Sequence, residues 1–586
     1  MSYMNVLTLL GGLATFLYGM NVMGDGLEKT AGNRLKTILT KLTANRWSGF
    51  LLGLVVTAVI QSSSATTVMI VGFVNSGIMT LSAAVYIIMG ANVGTAVTAW
   101  LLSTTGISGS AWYLQIFKPT TFTPVLALIG IVMFMMSKKK KRKDMATILL
   151  GFAVLMMGME AMSGAVKPLA NIPEFTSILV KFSNPILGIL AGAVLTAIIQ
   201  SSSASVGILQ ALSLTGAIPY SVCIPVIMGQ NIGTCITAVL SSVGTTKDAR
   251  RASMIHLYFN VAGTVIWSIV FYTITAFFPI AFVDTFATPL GIACVHTVFK
   301  LLSTAVLMPF GPQLEKLAIL TVPDKPGKDN EIPLLDERLF VTPAIALERA
   351  HTILNEMGTL SFDILQQSLT LLDKFDEKEA EKVVEGENKA DMYEDKLGTY
   401  MVKLSGHSLS ESDSHEMTKY LHMIGDLERI SDHAVNIVES AREIHEKEIV
   451  FSASANEEIK TIVSAVREIL DMTKAALAHE DLKLAAQVEP LEQVIDLLNK
   501  SIRARHIDRL THNECTIELG FVLNDILNNL ERVSDHCSNL AVCIIEIAHN
   551  SFDTHEYLSE VKHNQGEFIA QYEQYKEKFA LPPVKA

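Results

Sequence analysis

Two hydrophobic periods divide the chain. Over residues 1–310, apolar residues come in stretches close to the ~20 that a helix needs to cross a hydrocarbon core of about 30 Å. From about 343 to 550 they recur with helical period among charged residues, with few Gly or Pro. The pattern predicts an all-α protein, polytopic in its first part. Residues 4–24 read as one span, 80–103 as a second and 121–137 as a third. Between the first two lie apolar pieces at 47–60 and 65–75, separated by Gln61, Ser62, Ser63 and Ser64. At 1.5 Å per residue each piece covers roughly 16–21 Å, too short to cross alone. They suit a re-entrant hairpin with the polar residues at its tip. The span at 80–103 is interrupted at "GANVGT", where Gly90, Asn92 and Gly94 favour unwinding.

Shifting the sequence by 139 lays this unit on a second copy. Gln61-Ser-Ser-Ser falls on Gln200-Ser-Ser-Ser, and "MGANVGTAVTA" (89–99) falls on "MGQNIGTCITA" (228–238). Gly19, Gly49, Gly53 and Gly77 fall on Gly158, Gly188, Gly192 and Gly216. Repeat 1 covers about 4–137, repeat 2 about 145–278, and a final span 287–310 stands outside the duplication. Three crossings per repeat make the second copy inverted. Inverted repeats with broken helices at mid-membrane are the build of secondary transporters.

Charge fixes an orientation. Residues 1–320 carry a net +11 and 321–586 a net −23. With the N-terminus outside, the basic segment Lys29–Arg46, the run "KKKKRK" (138–143) and "KDARR" (247–251) all fall inside, as the positive-inside rule requires. This places the chain in the cytoplasmic (inner) membrane with its acidic part in the cytoplasm. The "KKKKRK" run between two spans is a cytoplasmic loop rather than a nucleic-acid patch, so no nucleic-acid partner is expected. The N-terminus lacks a basic n-region and an A-x-A-like cleavage site and reads as a retained first helix. The six cysteines form no CxxC pair and read as reduced thiols. With no P-loop, HExxH or nucleophile–base constellation, enzymatic activity is not expected.

Polar backbone at membrane depth survives only where protein or water covers it. Helix N-termini there offer free N–H groups to an anion. Hydroxyls, amide oxygens and unwound carbonyls can hold a hard cation. The residues alone therefore indicate a small anion with a cation. Taken together, the paired QSSS and G-x-N-x-G-T motifs resemble those of type II sodium–phosphate cotransporters, in the bacterial branch that carries a PhoU-like domain. The resemblance covers residues 1 to about 310. It implies sodium-driven phosphate transport, with Na+ co-transported. It also implies one central site drawn from Gln61, Ser62, Ser63, Ser64, Thr66, Asn92 and Thr95 of repeat 1. Repeat 2 would supply Gln200, Ser201, Ser202, Ser203, Ser205, Asn231 and Thr234. Ala91 stands where repeat 2 has Gln230, so the halves are expected to do unequal work. A transporter of another small anion, and a membrane phosphate sensor, stay open as alternatives.

Residues 311–341, with "PDKPGKDNEIP", read as a linker, 342–555 as a helical domain and 556–586 as a tail. The helical domain repeats: "LERISDHAVNI" (427–437) matches "LERVSDHCSNL" (530–540). Four Glu-x-x-x-Asp pairs result: Glu387/Asp391, Glu428/Asp432, Glu492/Asp496 and Glu531/Asp535. The i,i+4 spacing puts both carboxylates on one helix face, where a divalent metal would offset their repulsion. Two three-helix repeats with this pattern resemble PhoU, a cytoplasmic regulator of phosphate transport. The resemblance implies multinuclear divalent or iron-type metal sites of unspecified identity. His433 and His536 follow the aspartates directly and point away, so they are not expected as ligands, while Arg429 and Arg532 are expected to pair with the carboxylates. Within the membrane part, Glu160, His296 and Lys300 are charged or titratable candidates without an assigned role, and Asp25, His256 and Asp284 fall near expected span ends. A homo-oligomer or a cytoplasmic regulatory partner fits this layout, as does contact with membrane lipid.

Overall fold

The structure is a computed structural model that describes residues 3–40, 45–106, 119–168, 181–278, 280–323, 335–407, 409–512, 514–549 and 565–583. Among these the chain is helical, and an isolated bridge from Pro219 to Phe286 is the one β pairing. It divides into two units, Met1–Thr342 and Pro343–Ala586.

The first unit begins with α1 (Tyr3–Thr40), α2 (Arg46–Ile60), α3 (Ser63–Asn75), α4 (Leu81–Gly94), α5 (Ala96–Ser103) and α6 (Pro119–Met136). Repeat 2 follows as α7 (Lys140–Val166), α8 (Pro185–Ile199), α9 (Ser202–Ser213), α10 (Tyr220–Gly233), α11 (Cys235–Ser241) and α12 (Lys247–Phe277). Then come α13 (Pro289–Leu307) and α14 (Gly311–Thr321). Among the described residues six helical stretches are long and apolar enough to cross a membrane. The expected third crossing is shorter than these, at Thr121–Met136, and the hairpin arms α2, α3 and α8 are shorter too. The loop over 107–118 lies outside the described residues.

Backbone-to-backbone contact explains the matched glycines. A Cβ on Gly53 of α2 would lie 1.9 Å from the carbonyl oxygen of Ile87 in α4, and one on Gly90 would lie 1.9 Å from that of Phe50. In repeat 2 a Cβ on Gly192 would meet the Val226 oxygen at 2.1 Å, and one on Gly229 the Ile189 oxygen at 1.9 Å. Each hairpin's first arm is thus pressed onto the broken helix of its own repeat. Such close approach is how membrane helices gain packing where water gives no hydrophobic drive.

The expected linker is more ordered than its composition suggests. Residues 311–321 continue as α14, which packs on α12 and α4, and residues 324–334 lie outside the described set. A short 3-10 turn, Glu337–Val341, then docks on α3. There Asn75 donates to Asp336 Oδ2 at 2.8 Å, and Leu339 is fully buried. Its apolar residues Leu339, Phe340 and Val341 give the segment a face to bury, which a Pro and Gly count does not reveal.

The second unit is two groups of three helices: α15 (Pro343–Leu371), α16 (Glu377–Ser405) and α17 (Glu411–Glu446), then α18 (Ala453–His479), α19 (Leu482–Thr511) and α20 (Ile517–His549). The second helix of each group starts on an aspartate N-cap: Asp376 accepts from Lys378 and Glu379 N–H, Asp481 from Lys483 and Leu484 N–H. Fully buried Leu365, Leu397 and Leu427 sit in the first group and Ile469, Ile495 and Leu527 in the second. The C-terminal segment is not all tail: α21 (Gln565–Lys578) packs on α19, burying Tyr575 and Phe579.

Candidate functional site

The serine clusters head two short helices that meet tip to tip. Gln61 and Gln200 adopt left-handed φ values of 60° and 58°, which turn each hairpin sharply. Ser62 then caps α3 by accepting from Ala65 N–H, and Ser201 caps α9 by accepting from Ala204 N–H, both at 3.2 Å. The first N–H groups of each helix, at Ser63, Ser64, Ser202 and Ser203, have no intrahelical acceptor. Ser63 Oγ lies 3.4 Å from Ser202 Oγ, and Ser64 Oγ donates to the Gln200 carbonyl at 3.4 Å. Residues 63 and 202 are equivalent under the 139-residue offset, so the contact joins matching positions of the two copies. Behind the tips, Thr66 receives a hydrogen bond from Thr57 at 3.1 Å, and Ser205 one from Thr196 at 2.8 Å. The glutamines differ: Gln61 is buried and accepts from Thr98 of α5 at 2.9 Å, whereas Gln200 is exposed.

The two helix breaks form a second polar cluster. α4 stops at Gly94 and α10 at Gly233, and Thr95 and Thr234 turn their hydroxyls back onto Ala91 O (3.3 Å) and Gln230 O (2.8 Å). Asn92 bonds away from the serine tips: its Nδ2 donates to Asn260 Oδ1 of α12 at 2.7 Å. Lys300 Nζ of α13 donates to both the Asn92 carbonyl and its Oδ1, each at 2.7 Å. Asn260 Nδ2 in turn donates to His256 O at 2.9 Å and to Cys235 Sγ, at the second break, at 3.3 Å. Asn260 therefore bridges the breaks. The sequence reading missed it, and it placed His256 near a span end. His256 is instead 2% exposed between the breaks. An Asn and a His at i,i+4 within an apolar span were the available signal. Glu160, Asn21, Asp25 and Asp284 are exposed on the unit and do not join either cluster.

In the second unit the acidic pairs assemble into two quartets, on α16/α17 and on α19/α20. In the first, oxygens of Glu387, Asp391 and Asp432 lie within 4.8 Å of one another. Burial pushes the Glu428 carboxyl up to about 7, helped by repulsion from Asp432, Glu394 and Asp391, and burial with repulsion from Asp391 and Asp432 raises Glu387. The second quartet is threaded with cations: Lys500 reaches Asp496 at 2.9 Å, Arg503 reaches Glu531 at 3.5 Å and Arg532 reaches Asp535 at 3.6 Å. Asn499 also donates to Glu531. The imidazoles point elsewhere, His433 Nδ1 to Asn529 and His536 Nδ1 to Asp426, each at 2.8 Å.

Comparison with known proteins matches both units. The Na+/Pi-cotransporter family model fits residues 15–164 and again 156–303, and the PhoU domain model fits 354–441 and 459–544. A relative from Escherichia coli (strain K12), "Putative inorganic phosphate export protein YjbB", is 24% identical over 93% of this chain and 98% of its own length. "Uncharacterized protein YqeW" of Bacillus subtilis (strain 168) is 31% identical over 42% of this chain and 76% of its own length. "Sodium-dependent phosphate transport protein 2C" of Homo sapiens is 38% identical over 14% of this chain and 15% of its own.

Proposed function

For this chain, which belongs to the Na+/Pi-cotransporter family and carries PhoU domains C-terminal to the membrane unit, we propose sodium-coupled symport of inorganic phosphate across the cytoplasmic membrane. The observation that carries the reading is the meeting of Ser63 and Ser202, 3.4 Å apart, at the heads of two helices. Two positive dipole ends and a ring of hydroxyls converge there without a fixed charge. A phosphate would be held by the free N–H groups and by hydroxyl hydrogens, because the Ser62 and Ser201 oxygens are committed as caps. Sodium would be held by amide and carbonyl oxygens at the helix breaks, where half-helix C-termini leave acceptors open. The contact between repeat-equivalent residues supports an inverted pair rather than two tandem bundles.

The metal-binding role of the second unit rests on the first acidic quartet. Glu387, Asp391, Glu428 and Asp432 offer a hard, oxygen-only donor set whose mutual repulsion a divalent cation would relieve. In this reading the PhoU domains lie in the cytoplasm and regulate transport.

The test is phosphate uptake into proteoliposomes under an imposed sodium gradient. Wild type should accumulate labelled phosphate, and Ser63→Ala with Ser202→Ala should lose most of it, about tenfold or more. Binding without accumulation would support a sensor instead. Transport that ignores phosphate as a competitor would support another anion. Export is the second reading, favoured by the name of the relative that covers nearly the whole chain. Reversing the gradients across the same vesicles separates the two: a symporter runs either way, a dedicated exporter does not.

A further inference from the structure

We propose that Lys300 is a tethered cation that fills the first helix break, so that sodium is bound at the second break alone. The proposal rests on the sodium-coupled reading above and assigns its cation site to one repeat.

The argument starts from backbone accounting. In an unbroken helix the Asn92 carbonyl would accept from the N–H of residue 96. At the break between Gly94 and Ala96 it accepts instead from Lys300 Nζ, which also takes Asn92 Oδ1, both at 2.7 Å. A carbonyl and an amide oxygen at the C-terminal end of a half-helix are the donor pair that a monovalent cation uses in broken-helix transporters. An ammonium placed on that pair does the same electrostatic work at the negative dipole end. Lys300 is 2% exposed, and among the described residues no carboxylate faces it. The titratable groups that face it from α11, α12 and its own helix are Cys235, His256 and His296. Its charge is therefore met by the oxygens of the break and not by a buried acid.

The second break has the same backbone and no such filling. Among the described residues the Asn231 carbonyl receives only the Cys235 thiol, at 3.5 Å. Asn231 Nδ2 turns back onto Ile227 O at 2.8 Å. The independent observation is Gln230, which stands where repeat 1 has Ala91. It is 1% exposed, and neither its Oε1 nor its Nε2 has a hydrogen-bond partner among the described residues. A buried amide left unpaired is costly and marks a place where a ligand completes the shell. The asymmetry has a structural origin. α13 lies outside the duplication and exists once, so it can close one break and not the other.

The test measures ²²Na and ³²P fluxes together in proteoliposomes holding the full-length protein, with equilibrium ²²Na binding to the same protein in detergent. Lys300→Met should take up about one more sodium per phosphate than wild type and gain about one saturable sodium per chain. Gln230→Ala should raise the sodium concentration for half-saturation about tenfold or more, a loss of about 1.4 kcal/mol in sodium binding. An active Lys300→Met with the wild-type ratio overturns the proposal. So does Gln230→Ala with wild-type sodium affinity, and this second arm decides alone if Lys300→Met does not fold. A wild type that binds sodium but shows no sodium-driven uptake would count against symport while leaving the cation assignment standing.

Discussion

The first acidic quartet and the second are built on equivalent helix pairs with the same Glu-x-x-x-Asp spacing, yet they differ in charge. Oxygens of Glu387, Asp391 and Asp432 crowd within 4.8 Å, whereas Asp496, Glu531 and Asp535 each have a Lys or Arg within 3.6 Å. The helix breaks of the membrane unit show the same division. One is closed by Lys300 and the other holds an unpaired Gln230. Duplication supplies two copies of an oxygen cage. In each case basic side chains lie against the oxygens of one copy, Lys300 at the first break and Lys500, Arg503 and Arg532 at the second quartet.

The largest effect is expected where the copies are alike. Gly53→Val and Gly192→Val would each drive a side chain into a carbonyl, at 1.9 and 2.1 Å for the first carbon alone. Both should lose about 3 kcal/mol or more and yield little monodisperse protein by size exclusion. A benign result for one of them would show that the two clamps are not equivalent. Next comes the contrast between quartets. Asp432→Asn should weaken Mn2+ binding to the full-length protein about tenfold to a hundredfold, read by electron paramagnetic resonance, while Asp496→Asn should change it less than about twofold. Equal losses would erase the distinction.

Proton competition sharpens the same contrast. With Glu428 pushed up to about 7 from 4.5, a proton occupies it below that value, so Mn2+ affinity should fall as the pH drops through about 7. Glu428→Gln should flatten that dependence. In the absence of metal the sign for stability is opposite: the raised carboxyl favours the folded state at low pH, and that contribution is lost as the pH rises from the ordinary carboxylate value through about 7. Lys500→Met combined with Arg503→Met should open the second quartet to a weak additional Mn2+. The smallest change is Arg532→Ala, whose exposed pair with Asp535 should cost no more than about 0.5 kcal/mol in thermal unfolding.

Much of this was legible in residue order. The serine tips, both helix breaks and the six helices of the second unit follow from period, glycine placement and a fixed repeat offset. Lys300 was visible as a charge in a span, but its partner Asn92 is 208 residues away, and no local pattern encodes a contact at that distance. Arg503 and Glu531 are likewise joined only by the packing of α19 on α20. The helices at 311–321 and 565–578 escape a reading by composition for another reason. Composition weighs Pro, Gly and charge, while a short helix needs only one apolar stripe and a surface to cover it.

The glycine contacts also limit how the membrane unit can move. Helices whose backbones touch at 2 Å from a missing Cβ cannot slide past one another without parting, so α2 travels with α4 and α8 with α10. Any rearrangement that exposes the serine slot to one side and then the other must flex at joints that lack this grip. Those joints are the left-handed corners at Gln61 and Gln200 and the one-residue gaps at Thr95 and Thr234. With α1 and α7 gripped the same way at Gly19 and Gly151, the described helices make three stiff levers and four pivots, and stiffening a pivot should stall the machine without dismantling it.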